Sequence, residues 1–440
     1  MVINNSPPGR GLNEESQMKK MQVFVTVLLG VLFMTPPAWA DSNEKMLDLL
    51  IKKEVISQAE GQALKKEMEK EGGAGQSDLP SALQGLTFEI LGYLDYSAGE
   101  KGVTGGNTDD YNRFTLGRGY LTVKKTIQPW MAVRMTTDVH QDSTEDWKVR
   151  LKYLYAELRP GKDLGALTNM KSEIGLGHIP WLDFEEHINP YRAQGTMAIE
   201  RSGIFNSADL GISLMGSFGG KLKDAEALTG NHHYDGLYGS WHIGVYNGGG
   251  YHAAEKNNNK VVEGRLTARP LPATLPGLQF SYLGIYGNGN VAASAGNIPD
   301  YRVNLGMVSY EHPVWILTAQ YFATKGNAAG ALVDPAGASL DTKGYSVFGR
   351  VKLPVLESKL ALFGRYDHFD PDNDSVVSNN AGHKLSLAGV SYQLYKGNMI
   401  LLSYERIDYE EDSGGLGKAP SPGNDLGDDH RVQAVYQLSF

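Results

Sequence analysis

The sequence predicts an all-β fold, a closed transmembrane barrel of about sixteen antiparallel strands behind a short N-terminal helical segment. Three observations predict it. The chain opens on an export signal, it repeats alternating segments from residue 86 onward, and its last segment carries an apolar stripe running to Phe440.

The export signal comes first. Met18-Lys19-Lys20 is basic, Val23 to Met34 is almost continuously apolar, and Ala38-Trp39-Ala40 is an A-x-A site before Asp41. That order of charge, apolar core and small residues is a secretory signal peptide, with cleavage expected near Ala40/Asp41. The core of about a dozen residues is too short to cross a bilayer as a helix. Residues 1–17 fit no part of the pattern, and 1–40 are set aside as upstream residues and signal peptide. Residues 41–71 follow as a periplasmic helical segment. Glu44 to Lys53 has helical spacing, and Ser57 with Glu60 three residues on forms a capping box that opens a second helix through Lys70. Gly72-Gly73-Ala74-Gly75-Gln76-Ser77 makes 72–85 a flexible linker, and 86–440 is the barrel domain.

Composition narrows the class. The chain has no cysteine, which excludes a disulfide framework, a thiolate metal site and a CxxCH haem attachment. No cofactor is expected. No second run of about 18 apolar residues occurs, so no helical span is expected after the signal. Hydropathy does not separate a soluble β-protein from a membrane barrel, because barrel strands bury only alternate residues in lipid.

The final segment does separate them. Val432, Ala434, Tyr436, Leu438 and Phe440 share one strand face, while Arg431, Gln433, Gln437 and Ser439 share the other with Val435. An apolar stripe opposite a polar one suits a strand between lipid and water. Phe440 also resembles the terminal assembly signal of outer-membrane barrels, which implies the barrel-assembly machinery and outer-membrane lipid as partners. No nucleic-acid partner is expected.

The other strands follow the same alternation, bounded by turn residues. They are expected at 86–97, 111–125, 130–139, 147–158, 170–178, 207–218, 235–246 and 260–269. The second half continues at 277–287, 300–311, 314–324, 343–353, 359–368, 384–395, 398–408 and 429–440. Alternate connections are compact, as at Gln128-Pro129, His312-Pro313, Pro354 to Glu357 and Lys396-Gly397. Gly219 to Tyr234 is longer than that pattern asks. The other set is long and polar: Gly99 to Asp110, Ile179 to Asn206, Asn247 to Asn259, Thr324 to Thr342, Asp370 to Gly382 and Tyr409 to Asp428. An even count places both barrel ends at the periplasmic rim and the long connections outside. A barrel of this size encloses an aqueous channel, because only smaller barrels are filled by their own side chains.

The formal charge of −9 suggests cations, but strand parity locates the charges differently. In 147–155, Trp147, Val149, Leu151, Tyr153 and Tyr155 form the expected outward stripe, so Lys148, Arg150 and Lys152 point inward. The same parity puts Arg134, Lys171, Arg265, Arg269, Arg302, Arg350, Lys352, Arg365 and Arg431 on the lumen. Inward acids are Glu89, Asp95, Asp138, Glu173, Glu263 and Asp367. The lumen is then roughly two to one basic, since charges avoid the lipid face. A basic lumen concentrates small anionic solutes. The connection from Ile179 to Asn206 has aromatic and aliphatic residues enough to pack. Folded inward it would narrow the channel, with Arg192, Glu200 and Arg201 at the constriction.

The run Gly175-Leu176-Gly177-His178-Ile179-Pro180, then Glu200-Arg201-Ser202, then Asp209-Leu210-Gly211-Ile212 and Gly216, resembles the phosphate-selective porin O and P family. Leu360-Ala361-Leu362-Phe363-Gly364-Arg365-Tyr366-Asp367 is similar to that family too, as is the helical segment before the barrel. The resemblance spans most of the mature chain and implies a sixteen-stranded homotrimeric anion pore whose third outer loop constricts the channel. Asp209 stands where an arginine commonly precedes the leucine-glycine pair, and the loop lacks a dense arginine ladder.

Two other functions are weighed. An outer-membrane phospholipase would need a serine, a carboxylate and one of His140, His368 or His383 to converge; no nucleophile motif accompanies these histidines. A sheath around an electron-transfer cytochrome would need a haem-bearing partner. His232-His233 lacks a carboxylate at ligand spacing, so no metal is expected.

Overall fold

The computed structural model describes residues 84–141, 146–292 and 296–440. The expected signal peptide, the helical segment and nearly all of the linker lie outside these. Sixteen strands follow in chain order: β1 (Leu86–Val103), β2 (Asn107–Gln128), β3 (Met131–Gln141), β4 (Trp147–Leu158), β5 (Leu167–His178), β6 (Ala208–Phe218), β7 (Gly239–Tyr246) and β8 (Val261–Ala268). The second half comprises β9 (Leu278–Asn288), β10 (Asp300–Glu311), β11 (Trp315–Lys325), β12 (Asp341–Lys352), β13 (Leu360–Asp370), β14 (His383–Tyr395), β15 (Asn398–Tyr409) and β16 (Asp429–Ser439). Each pairs antiparallel with its chain neighbours, and β1 pairs with β16, so the barrel is closed and no edge is left open.

The closing seam runs to the final residue. Beyond the β1–β16 ladder, the Phe440 and Ile90 backbones exchange hydrogen bonds of 2.9 and 3.1 Å, and the Phe440 ring stays largely exposed on the outer face.

Two connections differ from expectation. Gly99 to Asp110 is mostly strand, with β1 and β2 joined across 104–106 by Gly105 and Gly106 at positive φ. The Asp429 carboxylate accepts from the Gly102 N–H at 2.7 Å and helps hold this extension to the barrel. The 219–238 connection is long because it contains a helix, α3 (Ala225–Thr229), and turns inward.

The 179–207 connection lies inside the barrel and carries α1 (Leu182–Ile188) and α2 (Ala198–Arg201). Asp183 and Glu185 in the first turn suit the positive end of α1, and Asn189-Pro190 stops it, because the residue before proline avoids helical backbone. Trp181, Leu182, Phe184, Ile188, Met197, Ile199 and Ile204 are all at most 1% exposed. They share one core with inward residues of β9 to β16, among them Leu283, Val303, Leu305, Phe348, Phe363 and Leu401. Burying such a side chain contributes about 1.5–3 kcal/mol, enough to hold a loop with little regular structure. Near the long-loop rim the segment passes Gly417, where a Cβ on Gly203 would sit 2.7 Å from the Gly417 Cα and only glycine fits.

That packing corrects the expected parity. In β10 the buried row is Tyr301, Val303, Leu305, Met307 and Ser309, while Arg302 lies on the outward row beside Asp300, at 3.0 Å, and over the Tyr286 ring. Arg302 therefore does not line the lumen. Its neighbours looked lipid-facing because they are apolar, but the apolar surface they meet is the inward segment. In β4, Tyr153 and Tyr155 are buried on the interior instead of lying on the outward stripe. The β3–β4 register shifts there, from Thr137↔Leu151 to Thr136↔Tyr153. Lys152 is the extra residue of a bulge that turns the rest of the strand over.

Candidate functional site

The inward segment fills the half of the lumen beside β8 to β16 and leaves space along β1 to β5, where two cavities lie. The first, about 530 Å³, is lined by Arg113, Arg118, Arg150, Arg192 and Arg431, with Asp95 the one carboxylate among its described lining residues. The acids that balance these arginines are held at their backs. Asp138 accepts from Arg150 at 2.8 Å and from Arg118 at 3.3 Å. Arg192 is bound to Glu186 at 2.8 Å and to Glu200 at 3.1 Å, and Arg431 meets Glu405 at 3.0 Å. Asp95 already accepts from Ser97, Thr115 and Gln433.

The second cavity, also about 530 Å³, lies towards the rim that carries Gly85. Lys124, Lys125, Arg134, Arg159, Lys171 and Arg265 line it together with Glu157, Glu173, Asp183 and Asp235, so its charge is nearer to balance than that of the first. Along β2 and β4 the waist between the cavities holds Tyr120, Lys152 and Tyr153. Lys152 donates to the Tyr120 hydroxyl at 2.6 Å and stands 4.3 Å above that ring. Arg134 lies 4.7 Å over Tyr153. Cations seated on aromatic faces keep their charge at a modest cost in solvation.

Of the expected lumen cations, Arg134, Arg150 and Lys152 come together here, and Lys148 follows the inward parity of Arg150 towards the long-loop rim. Arg265 and Arg365 also face inward, but beneath the loop. Arg265 donates to the Pro180 carbonyl at 2.9 Å, and Arg365 pairs with Asp367 and donates to the Thr196 carbonyl at 2.8 Å. Arg350 faces the same filled half. Arg265 and Arg365 hold the loop side of the lumen, and Arg265 also reaches the lining of the second cavity. Within the loop, Glu200 and Glu186 outweigh burial and hold the Arg192 pKa above its ordinary value, whereas burial lowers that of Arg201.

Arg113 and Arg118 escape a reading by strict alternation, since residues five apart cannot share a face. The register shifts where Tyr93↔Arg118 gives way to Leu94↔Leu116, with Gly117 as the extra residue, and both arginines then face inward. The glycine in the Leu116-Gly117-Arg118 run is the only sequence sign of this. The three histidines weighed for catalysis do not converge: His140 lines the first cavity, His383 is buried on β14, and His368 stacks on Tyr345 of β12.

No protein-family model matches the chain, and no curated protein does. Solved structures do match its fold. An anion-selective porin from Comamonas acidovorans gives a TM-score of 0.52 at 11% identity, over 81% of this chain and all of that one. OmpF of Salmonella typhi gives 0.52 at 12% identity, over 80% of this chain and 97% of that one. The chain thus has the fold of outer-membrane porins, a closed sixteen-stranded barrel with a segment folded into its lumen.

Proposed function

We propose that the chain is an outer-membrane channel for small solutes that prefers anions, phosphate-like oxyanions among them. The observation that carries this is the first cavity, where five guanidinium groups face one space and the single lining carboxylate is already hydrogen-bonded. Guanidinium groups offer paired N–H donors that match carboxylate and phosphate oxygens. Because four of the five are also tied to an acid behind them, the site attracts anions without holding one so tightly that conduction stops. The inward segment, with Arg192 and Glu200 towards this space, is the constriction. On this reading the protein is exported by a cleaved signal peptide, Phe440 helps the barrel to assemble, and three copies associate, as the family resemblance implies.

The test is the reversal potential of purified protein in a planar bilayer across a potassium chloride gradient. Anion preference is expected, strongest in dilute salt, because screening acts within about 10 Å at 0.1 M. A preference for cations at low salt would sink the proposal.

A further inference from the structure

Two segments enter the barrel from opposite rims and meet. One carries α1. The other is the 219–238 connection between β6 and β7, which belongs to the rim where Gly85 lies. The Tyr234 hydroxyl donates to the Asp183 carboxylate at 2.5 Å. The Asn231 amide donates to the His187 carbonyl at 3.0 Å and to the Glu311 carboxylate at 2.6 Å. Arg265 lies 4.2 Å over Phe184 and 5.0 Å over Tyr234, one ring from each segment. The remaining contact is made by imidazoles: the His187 and His233 rings are 3.9 Å apart, and His233 is 4.1 Å from His232.

We propose that this meeting is a pH-operated latch, in which protonation of the His187–His233–His232 stack parts the 219–238 connection from α1 and widens the exit of the channel on that rim. The widening rests on the channel reading above, whereas the parting does not.

The stack is built so that protons accumulate against it. His187 Nδ1 donates to the Asp183 carbonyl at 2.6 Å, which leaves Nε2 to take a second proton. On α1, the Asp183 carboxylate lies 3.6 Å from His187; on the connection, Glu226 lies 3.1 Å from His232. Once the two outer rings are charged, His233 has a like charge on each side. Asp235 is taken by Lys221 at 3.2 Å, and Glu311 is taken by Asn231. From the wall, Glu173 is engaged by His178, His242 is held neutral by burial, and Arg134, Lys171 and Arg265 add positive potential.

Burial against α1, and then the imidazoles of His187 and His232, hold the pKa of His233 down to about 4, against 6.5 for a free ring. A group whose pKa is depressed by a contact favours that contact when neutral and opposes it when protonated. The contact is therefore full at neutral pH and weakens as pH falls below 6.5. With allowance for the partial exposure of the ring, the joined-to-parted ratio should fall about tenfold between pH 7.5 and pH 5. His187, His233, Tyr234 and Asp235 all line the second cavity, so parting enlarges it.

Hydrogen exchange of residues 219–238 in detergent-solubilised protein, corrected for the intrinsic effect of pH, reads the latch without conduction. Wild type should exchange about tenfold faster at pH 5 than at pH 7.5, and His233→Gln should not. His233→Arg should exchange at pH 7.5 as wild type does at pH 5. In a planar bilayer, single-channel conductance should rise at pH 5 in wild type, stay flat in His233→Gln, and be high at both pH values in His233→Arg. An equal exchange response in wild type and His233→Gln overturns the latch, and so does wild-type protection of His233→Arg at pH 7.5. The exchange response without any conductance supports the latch and removes the channel reading. Conductance without the exchange response removes the latch and leaves the channel.

Discussion

Arg201 of the inward segment donates to Glu405 of β15 at 2.7 Å, and Arg431 of β16 reaches the other oxygen of the same carboxylate at 3.0 Å. Gln194, also on the segment, donates to it at 2.6 Å. One buried acid thus joins the loop to the wall beside the first cavity. Removing one partner from a buried ion pair costs about 3–5 kcal/mol, because the other charge is stranded. Glu405→Ala should therefore release the segment without undoing the ladders of the barrel. Single-channel records should turn noisy with a larger mean current, while the protein remains heat-modifiable. A quiet current of wild-type size would show that the segment is held by its apolar core alone.

Arg302 and Arg150 give opposite expectations although both are arginines on barrel strands. Arg302 faces outward and is paired with Asp300, whereas Arg150 lines the first cavity. Arg302→Gln should leave the reversal potential unchanged. Arg113→Gln combined with Arg150→Gln should move it towards cations, most clearly in dilute salt. If Arg302→Gln moves selectivity as far as the double variant does, the placement of β10 is inverted.

The strand count and the face of the last strand are legible because lipid demands an alternate apolar row, and Val432 to Phe440 supplies one opposite Gln433 and Gln437. That logic fails where the lumen is filled, so that the apolar row of β10 faces inward and the outward row carries Arg302 and Asn304. Tyr301, Val303, Leu305 and Met307 face inward only because Leu182, Ile188 and Ile199 occupy that half of the lumen, and no local pattern in β10 records it. It fails again at bulges. Lys152 and Gly117 each add one residue, which reverses the parity of Tyr153 and brings Arg118 to the side of Arg113. The basic character of the site is therefore visible in composition, while its membership depends on two single-residue slips and on one loop.

Phe440 bonds through its backbone to Ile90 and completes the seam between the first and last strands. Deleting it removes both hydrogen bonds and an exposed aromatic from the outer surface near the rim. The amount of heat-modifiable protein in the membrane should drop sharply on deletion, whereas Phe440→Tyr should retain it. Normal levels after deletion would deny the residue any part in assembly.

Glu185 supplies the last prediction. It lies on α1, almost fully buried in the core of the loop, and accepts from the Trp181 indole N–H and the Gln320 amide at 2.7 Å each. Burial opposes its charge more than these donors support it, and its pKa is pushed up to about 7. A carboxyl whose pKa rises on packing stabilises the packed loop in its neutral form. That contribution is complete below the ordinary carboxylate range and is lost as pH rises through 7. Glu185→Gln keeps the shape without the charge, so it should make loop packing firmer at pH 8 by on the order of 2 kcal/mol and change little at pH 4. Hydrogen exchange of residues 179–207 measures this directly, with slower exchange in the variant at pH 8 and near-equal rates at pH 4. Because acid firms this loop while it loosens the 219–238 connection, the two segments should respond to pH in opposite directions within one experiment. Faster exchange of Glu185→Gln at pH 8 would mean that the two donors require an ionised partner and that burial is the weaker influence.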